Sequence, residues 1–471
     1  MIELSEQQQQ IFDKYIQRQN IFITGPGGSG KSALIKYIYE DACSRGKNIQ
    51  VTALTGCAAI LLNCSAKTIH SWAGIGLGTA EADYLIEKIK KNRFKKKMWR
   101  DTDILIVDEV SMMSLKLFEL LNLVGKEVRS SRRPFGGMQI IFSGDFYQLP
   151  PVQAHMPVQA HMPVQAQVQA QVQAPDQVDN EDGQFCFESE QWTSEVFKKE
   201  NQIALVKIFR QKDETYATIL NQIREGKIKR KSFEHLMTYV GRQVPEDSLI
   251  QPTKIFPTRA KVEQINMREM IKLNSPEQIF TLKMLNDNKH KYSPEEKEME
   301  FKYLERGIMC DSTIILKIGA QVMCIVNMEL ADGQMLCNGS QGIVTGFSPN
   351  FAQYANGLNT TNNTNTTNPI IKFTNLEKEI TLSAHTWQSE RCPGLSISQI
   401  PLILAWAITI HKSQGASLDM AEIDVGSNIF ECGQTYVALS RVKSLEGLFL
   451  TSLDISKILI NKKVQEFYKE L

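Results

Sequence analysis

Eight consecutive residues, GPGGSGKS at Gly25–Ser32, constrain the fold of this chain more than any other stretch. They follow the apolar run Ile21–Thr24 and precede residues 33–38, whose apolar spacing suits a helix. A buried strand, a glycine-rich turn and a helix N-terminus together form a cradle for phosphate groups, because backbone N–H groups point at the anion. The alternative is a plain glycine turn between a strand and a helix, which requires neither Lys31 nor Ser32.

The pattern therefore predicts a site for a nucleoside triphosphate. Lys31 would reach the β- and γ-phosphates, and the Ser32 hydroxyl would ligate Mg²⁺. Glycine lets the backbone approach the phosphate oxygens because it has no Cβ in the way. The other residues predicted to surround the phosphates are Gly25, Pro26, Gly27, Gly28, Ser29 and Gly30.

An acidic pair, Asp108-Glu109, follows the apolar run Ile104–Val107. Ligands of parallel α/β sheets collect at the carboxyl ends of the strands, so this pair is the natural partner of the phosphate loop. We predict that Asp108 holds Mg²⁺ and that Glu109 polarises the water that attacks the γ-phosphate. The alternative is an acidic helix cap near Ser111. Gln148, just past the next apolar run, lies where it could sense the γ-phosphate.

Composition places the chain among ordinary globular proteins. Its 471 residues suggest about three domains, and its net charge of +1 argues neither for nor against a nucleic-acid partner. Nine cysteines without a CxxC pair indicate neither a disulfide framework nor a zinc ribbon, and favour a reducing compartment. No signal sequence and no membrane span of roughly 18 apolar residues is evident, so we expect a soluble, intracellular protein that is not secreted.

Short apolar runs alternate with helical patterns, which predicts an α/β fold with parallel sheets. We expect a first domain over 1–150, with a small basic insertion at about 73–101. The PVQAHM repeats and their decayed continuation predict a disordered insert over 151–184, in which a metal role for His155 and His161 is disfavoured. A second domain would span 185–310 and 401–471. Glycine-rich short strands predict a small β-barrel insertion over 311–400, lengthened by an Asn/Thr tract.

A series of motifs spans nearly the whole chain. In order, they are LSEQQ at 4–8, GPGGSGKS, TGCAA at 55–59, TIHSW at 68–72, VDEVSM at 107–112, GDFYQLPPV at 144–152, FRQ at 209–211, AWAITIHKSQGASLD at 405–419 and GQTYVALSRVKSLEG at 433–447. These motifs and their order resemble the PIF (petite integration frequency) family of superfamily 1 helicases, which move 5′-to-3′ on DNA. The segment RRPFGG also resembles that family's signature.

The resemblance implies two RecA-like domains with ATP bound between them. Gln8 would read the adenine edge. Arg210 and Arg441 would reach the γ-phosphate from the second domain, where a guanidinium neutralises charge that develops on the transferred phosphoryl group. The chain begins almost at the first motif, so we expect a minimal motor.

The resemblance also implies a track for single-stranded DNA, lined by Thr55, His70 and the stretch His411, Lys412 and Ser413. His70 and Trp72 would stack on bases, although Trp72 is equally well interpreted as a core aromatic. The basic run Lys88–Lys97 fits a helix that flanks DNA, and its alternative is a merely solvated helix face.

These expectations combine into an ATP-dependent DNA helicase that uses ATP and Mg²⁺, acts on single-stranded and forked DNA as a monomer, and works in the nucleus or another DNA-containing compartment. Two alternatives stay open. One is a translocase that displaces proteins without separating strands, and the other is a nucleic-acid-binding scaffold with a decayed ATPase. The second would have lost Lys31, Glu109 or Arg441, and all three are present.

Overall fold

A computed structural model of the chain describes residues 4–62, 64–76, 80–151, 183–211, 213–244, 250–287, 292–330, 334–349, 367–389, 392 and 394–471. The predicted insert at 151–184 and the predicted Asn/Thr loop lie mostly outside these residues. The chain divides into two compact units. The first comprises Met1–Thr55, Leu62–Phe209 and Ile460–Leu471, and the second comprises Gly56–Leu61 and Arg210–Leu459.

A six-stranded parallel sheet forms the centre of the first unit. Its strands are β1 Ile21–Thr24, β2 Ile49–Ala53, β3 Lys67–Thr68, β4 Ile104–Asp108, β5 Gln139–Ser143 and β6 Gln202–Ala204. They lie in the order β3-β2-β4-β5-β1-β6. Every residue of β4 and of β5 is buried, as expected for a parallel sheet covered by helices on both faces. Because all the strands run the same way, their carboxyl ends share one edge.

Helices enclose this sheet, and the first of them, Glu6–Ile16, begins with a capping box. Ser5 and Gln8 form a capping box: the Ser5 N–H donates to Gln8 Oε1 (3.0 Å) and the Gln8 N–H donates to Ser5 Oγ (3.4 Å). The α-helices that lie wholly or partly in the first unit are Glu6–Ile16, Lys31–Ser44, Gly56–Leu62, Ile69–Ala73, Ala82–Lys91, Arg93–Asp101, Leu115–Val128 and Lys462–Glu470.

Aromatic side chains fill the core on one face of this sheet. Phe22 of β1 and Phe142 of β5 pack with Trp192, which begins a short π-helix at Trp192–Val196. Phe118, on the helix Leu115–Val128, completes the group at 5.6 Å from Trp192. All four side chains are fully buried. Their combined area anchors the strands on which the phosphate loop depends.

A second, four-stranded parallel sheet lies in the second unit, in the order β20-β7-β21-β22. Its strands are β7 Thr253–Phe256, β20 Ala407–Thr409, β21 Ala421–Val425 and β22 Leu448–Leu453. The α-helices of this unit, apart from the shared helix at 56–62, are Glu214–Arg224, Arg230–Met237, Arg259–Lys272, Pro294–Gly307, Ile410–Ser413 and Gln434–Leu439.

Antiparallel strands occupy the sequence between β7 and β20. They form a five-stranded sheet ordered β16-β15-β14-β11-β19 and three smaller sheets, β17-β18-β9, β10-β8 and β12-β13. The strands are β8 Gln278–Thr281, β9 Lys283–Asn286, β10 Thr313–Leu316, β11 Gln321–Cys324, β12 Met328–Glu329, β13 Met335–Leu336, β14 Gln341–Pro349, β15 Thr367–Phe373, β16 Glu379–Thr381, β17 His385–Gln388, β18 Leu395–Gln399 and β19 Leu402–Leu404. The antiparallel region thus begins before the predicted boundary at 311.

Two further predicted boundaries are wrong. Residues 185–209 belong to the first unit, because β6 pairs in parallel with β1 through Ile203 and Ile23. Residues 460–471 also belong to the first unit. The apolar run Leu402–Thr409 forms two strands: β19 pairs antiparallel with β11, and β20 pairs in parallel with β7. Strand partners are distant in sequence, so an apolar run alone does not reveal its sheet.

Candidate nucleotide-binding site and nucleic-acid contacts

The carboxyl edge of the first sheet brings together three of the predicted segments. The phosphate loop follows β1, Asp108 ends β4, and Gly144 follows β5. Strand β5 lies between the other two, and the Gly144 N–H donates to the carbonyl of Ile23 in β1 (3.1 Å). The topology therefore places the loop, the acidic pair and the start of the GDFYQLPP segment at one end of adjacent strands.

Two glycines of the phosphate loop leave no room for a side chain, because neighbouring parts of the protein pack against them. Gly25 and Gly30 have φ of 137° and 84°, which other residues rarely adopt. A Cβ at Gly25 would lie 2.4 Å from the Leu205 carbonyl oxygen, and one at Gly30 would lie 2.8 Å from Gln8 Nε2. The segment after β6 and the first helix thus close around the loop. Leu205 is a contact that the sequence pattern did not predict.

Lys31 lies at the start of the helix that follows the loop. Its ammonium donates to the carbonyls of Gly25 (2.7 Å) and Pro26 (3.0 Å), so the charge is held at the loop itself. Within the described part of the chain, the buried Ser29 hydroxyl has no hydrogen-bond partner, and Ser32 is exposed. A charge, an unsatisfied hydroxyl and an accessible hydroxyl on one loop are suited to phosphate and to its metal ion.

Asp108 and Glu109 lie in different environments although they are neighbours. Asp108 is buried, and burial raises the pKa of its carboxyl, while the nearby Lys31 charge opposes that shift. Glu109 is half-buried and adopts a left-handed backbone conformation, φ 56° and ψ 39°. Such strain in a residue other than glycine costs about 1–3 kcal/mol and is concentrated at functional sites. The pair can therefore divide metal binding and water activation between two distinct carboxyls.

Gln148 is buried, and its N–H donates to the Asp145 carbonyl (2.8 Å). The Asp145 carboxylate is itself fully buried and accepts the Tyr147 N–H (3.3 Å). Asp145 therefore shapes the turn that carries Gln148. The sequence motif predicts a functional role for Gln148, and the structure shows that Asp145 fixes the position of Gln148.

Gln8 lies beside the phosphate loop, and its Nε2 donates to the Gly30 carbonyl at 3.5 Å. Its Oε1 accepts the Ser5 N–H, so the side chain is held at both ends. The residue predicted to read adenine is thus adjacent to the phosphate loop, and its amide orientation is fixed by the capping box.

Arg210 and Arg441 come together within the second unit. The Arg210 Nη1 donates to the carbonyl of Ser440, the residue before Arg441, at 3.4 Å. Arg441 is only 2% exposed. Its Nε donates to the Val437 carbonyl (2.8 Å) and its Nη2 donates to Ser440 Oγ (2.7 Å). Arg441 therefore caps the helix Gln434–Leu439 from a buried position.

The predicted base-stacking role of Trp72 is wrong. Its side chain is fully buried, and its ring lies 4.4 Å from that of Trp99. The core alternative is the one observed. His70, two residues earlier on the same short helix, is half-buried, and burial lowers its pKa, so the neutral imidazole is favoured. Thr55 is half-buried at the end of the segment that follows β2.

The basic run divides into a structural lysine and an exposed face. Lys95 is 8% exposed, and its ammonium donates to the carbonyls of Ser71 and Trp72 at the end of the helix Ile69–Ala73. Of the two large apolar residues in the run, Ile89 is buried and Phe94 is exposed. Exposed positive charges remain at Lys88, Lys91, Arg93 and Lys97. The two alternatives, a face that flanks DNA and a solvated helix face, therefore concern these residues and not Lys95.

The stretch 411–413 presents its three side chains differently. Lys412 donates to the Met309 carbonyl (3.1 Å) from a half-buried position. The Ser413 side chain is fully buried, and its hydroxyl donates to the Ile410 carbonyl (2.7 Å). His411 is exposed. A direct phosphate contact through the Ser413 hydroxyl is therefore not supported, while His411 and Lys412 remain candidates.

Among the described residues, no group of three or more His, Cys, Asp or Glu side chains is arranged to hold a metal ion. In the same part of the chain, no helix has both the length and the apolar character needed to span a membrane.

Comparison with known proteins agrees with this geometry. A family model described as PIF1-like helicase matches residues 3–174, and one described as DNA helicase Pif1, 2B domain, matches residues 307–347. The ATP-dependent DNA helicase RRM3 of Saccharomyces cerevisiae is 30% identical over all of this chain and 68% of its own length. The chain spans between 56% and 68% of the first curated relatives that it matches.

Solved structures extend the similarity to the fold. The crystal structure of Pif1 helicase from Candida albicans has a TM-score of 0.73 at 32% identity, covering 100% of this chain and 99% of that one. The Bacteroides Pif1 helicase in complex with ADP-AlF3 and single-stranded DNA has a TM-score of 0.62 at 28% identity, covering 100% and 97%. The predicted α/β fold with two RecA-like domains is confirmed. Since both sequence and fold match along its whole length, the chain belongs to the PIF1-like helicase family.

Proposed function

We propose that this protein is an ATP-dependent DNA helicase that moves 5′-to-3′ on single-stranded DNA and unwinds duplexes. One observation carries the proposal: the carboxyl edge of the first sheet gathers the phosphate loop, the Asp108-Glu109 pair and the segment that leads to Gln148. A cationic cradle beside two unlike carboxyls is the arrangement that hydrolysis of a nucleoside triphosphate requires.

Each residue of this edge has a distinct role in the proposed hydrolysis. Lys31 would hold the β- and γ-phosphates, and Gln8 would select adenine. Glu109 would accept a proton from the attacking water as the new P–O bond forms and the bond to the β-phosphate oxygen breaks. Gln148 would orient that water or sense the γ-phosphate. Asp108 and Ser32 would hold Mg²⁺, which neutralises charge on the phosphate oxygens.

Arg210 and Arg441 would supply positive charge to the transferring phosphoryl group. Their proximity within the second unit supports a shared task, because Arg210 contacts the residue that precedes Arg441. The permanent charge and planar fork of a guanidinium suit phosphoryl oxygens better than the point charge of lysine.

The DNA partner is proposed from the family. The Bacteroides relative was crystallised with single-stranded DNA and a nucleotide analogue, which supports the same two ligands for this chain. Thr55, His70, His411 and Lys412 are the residues we assign to the strand, and Ser413 is assigned a structural role. We further propose that the motor acts as a monomer on single-stranded and forked DNA, in the nucleus or another DNA-containing compartment.

Two alternative functions differ in what they predict. A translocase that displaces proteins would hydrolyse ATP on single-stranded DNA without separating a duplex. A scaffold with a decayed ATPase would not hydrolyse ATP at all. The retained Lys31 and the strained Glu109 favour an active enzyme over the scaffold.

Phosphate release with and without single-stranded DNA, followed by unwinding of duplexes tailed at either end, tests the proposal. We expect DNA-stimulated release, and unwinding of the 5′-tailed duplex only. Release without unwinding of either duplex would favour the translocase. No release in either condition would favour the scaffold, and unwinding of the 3′-tailed duplex alone would reverse the proposed direction.

A further inference from the structure

The last helix, Lys462–Glu470, packs on the first unit although it follows the second unit in sequence. Val464 is 1% exposed, and Phe467 stacks on Phe187 with ring centroids 4.4 Å apart. Apolar packing therefore fixes this helix to the unit that carries the phosphate loop. Tyr468, the residue after Phe467, lies at the carboxyl edge of the first sheet.

The Tyr468 hydroxyl joins two separate segments of that edge. It accepts the Phe146 N–H (3.1 Å), lies 3.4 Å from Asp145 Oδ1, and shares a short hydrogen bond of 2.5 Å with Thr24 Oγ1. One consistent assignment has the hydroxyl donate to the Asp145 carboxylate and accept from Phe146 and Thr24, which uses its full capacity. The ring also stacks on Tyr147, with centroids 4.6 Å apart and planes 12° apart.

The partners of Tyr468 adjoin the residues that handle phosphate. Thr24 ends β1 and immediately precedes Gly25, whose carbonyl accepts the Lys31 ammonium. Asp145 shapes the turn in which its own carbonyl accepts the Gln148 N–H (2.8 Å). One hydroxyl therefore ties the entry of the phosphate loop to the turn that carries Gln148.

We propose that Tyr468 is a positioning residue for ATP hydrolysis. This inference rests on the proposed function and deepens it. Tyr468 acts through Thr24 and Asp145 and holds Gln148 in register with the phosphate loop. Catalysis by positioning depends on supporting contacts of this kind, because small displacements of a reacting group lower the rate strongly.

Tyr468→Phe removes the hydroxyl and keeps the ring that stacks on Tyr147. We expect kcat for DNA-stimulated ATP hydrolysis to fall roughly tenfold, with KM for ATP changed by no more than about twofold, since ground-state binding is retained. The matched control is Tyr15→Phe, which removes a hydrogen bond from Tyr15 Oη to Asp41 Oδ2 (2.8 Å) elsewhere in the first unit. That control should keep wild-type kcat.

Hydrogen–deuterium exchange without nucleotide gives a second readout that does not depend on turnover. The Phe146 amide donates to the Tyr468 hydroxyl, so peptides covering 144–148 should exchange faster in Tyr468→Phe and not in Tyr15→Phe. Wild-type kcat in Tyr468→Phe, unchanged exchange in 144–148, or an equal loss of kcat in Tyr15→Phe would each overturn the proposal. A wild-type protein that hydrolyses no ATP would instead contradict the proposed function, whatever the exchange shows.

Discussion

The indole rings of Trp72 and Trp99 lie 4.4 Å apart, both fully buried, in the core of the first unit. Trp99 Nε1 also donates to the Ala73 carbonyl (3.0 Å), which closes the helix that carries His70. The pair joins that helix to the basic segment Arg93–Asp101. We therefore assign a stabilising role to Trp72 and the proposed DNA contact to His70, although both lie on the same short helix.

Trp72→Ala should destabilise the first unit by about 3–5 kcal/mol, the usual cost of removing a buried tryptophan. His70→Ala should leave stability nearly unchanged and weaken binding of single-stranded DNA, because a stacking side chain contributes about 1–3 kcal/mol per base. Urea unfolding and fluorescence anisotropy separate the two effects. Unchanged affinity in His70→Ala would remove this residue from the proposed strand contacts.

Gly25→Ala should lower the melting temperature more than Gly46→Ala does. Both glycines have positive φ, so both substitutions strain the backbone. A Cβ at Gly25 also meets the Leu205 carbonyl oxygen at 2.4 Å, whereas a Cβ at Gly46 meets nothing within 4 Å. The difference between the two losses in melting temperature measures the cost of the clash with Leu205, apart from the backbone strain that both variants share. Equal losses would show that backbone strain alone accounts for Gly25.

Lys31→Ala and Glu109→Gln should both impair ATP hydrolysis, but they should differ in their effect on ATP binding. Removing the Lys31 ammonium should weaken ATP binding and turnover together. Glu109→Gln keeps the shape and loses the carboxylate, so ATP should still bind while hydrolysis falls by about 10²-fold or more. Equilibrium binding of a fluorescent ATP analogue and single-turnover hydrolysis test both variants. Normal hydrolysis by Glu109→Gln would contradict the proposed water-activating role.

Arg441 is expected to affect hydrolysis more than nucleotide affinity, because its charge matters most as the transition state develops. Arginines in this role contribute on the order of 10³-fold or more in related phosphate-loop enzymes. Since Arg441 is buried, Arg441→Lys tests the role with less disruption than Arg441→Ala. Both should bind ATP and DNA, hydrolyse slowly and fail to unwind. Near-normal single-turnover hydrolysis by Arg441→Lys would leave only the helix-capping role.

Acid should destabilise the second unit in part through His385, whose pKa is lowered by burial. The unfolded imidazole, with a pKa near 6.5, takes up a proton before the folded one does. Stability from this residue is therefore complete above that value and is lost as pH falls toward the lower folded pKa. The drop in melting temperature between pH 7.5 and 5.5 should be smaller in His385→Gln, with the exposed His235→Gln as control. If the drop in melting temperature in His385→Gln equals that of the wild type, protonation of His385 does not contribute to the acid sensitivity of the second unit.

Local sequence pattern was enough to predict that the loop Gly25–Ser32 and its neighbouring segments lie at one edge of a sheet. GPGGSGKS, Asp108 and the start of the Gly144 segment each follow an apolar run, and parallel strands bring such positions to one edge without further information. The helix at Glu6–Ile16 carried its own capping box. These features depend on residues close together in sequence.

Features that depend on distant contacts could not be predicted in this way. The sequence allows Trp72, two residues after the proposed DNA contact His70, to be either a stacking residue or a core residue, and only its contact with Trp99 decides between them. Lys95 belongs to a basic run, yet its ammonium donates a hydrogen bond to the Trp72 carbonyl. Tyr468 lies in a segment without any motif, more than three hundred residues from its partner Asp145.

The three-part composition of the first unit has a consequence for how the protein is made. The ribosome delivers Phe22 and its strand more than four hundred residues before Phe467, whose ring lies 6.0 Å from that of Phe22. Until then, part of the aromatic core lacks its cover, and exposed apolar surface on a nascent chain favours aggregation or chaperone binding. The first unit is therefore completed only after the whole of the second unit has been translated.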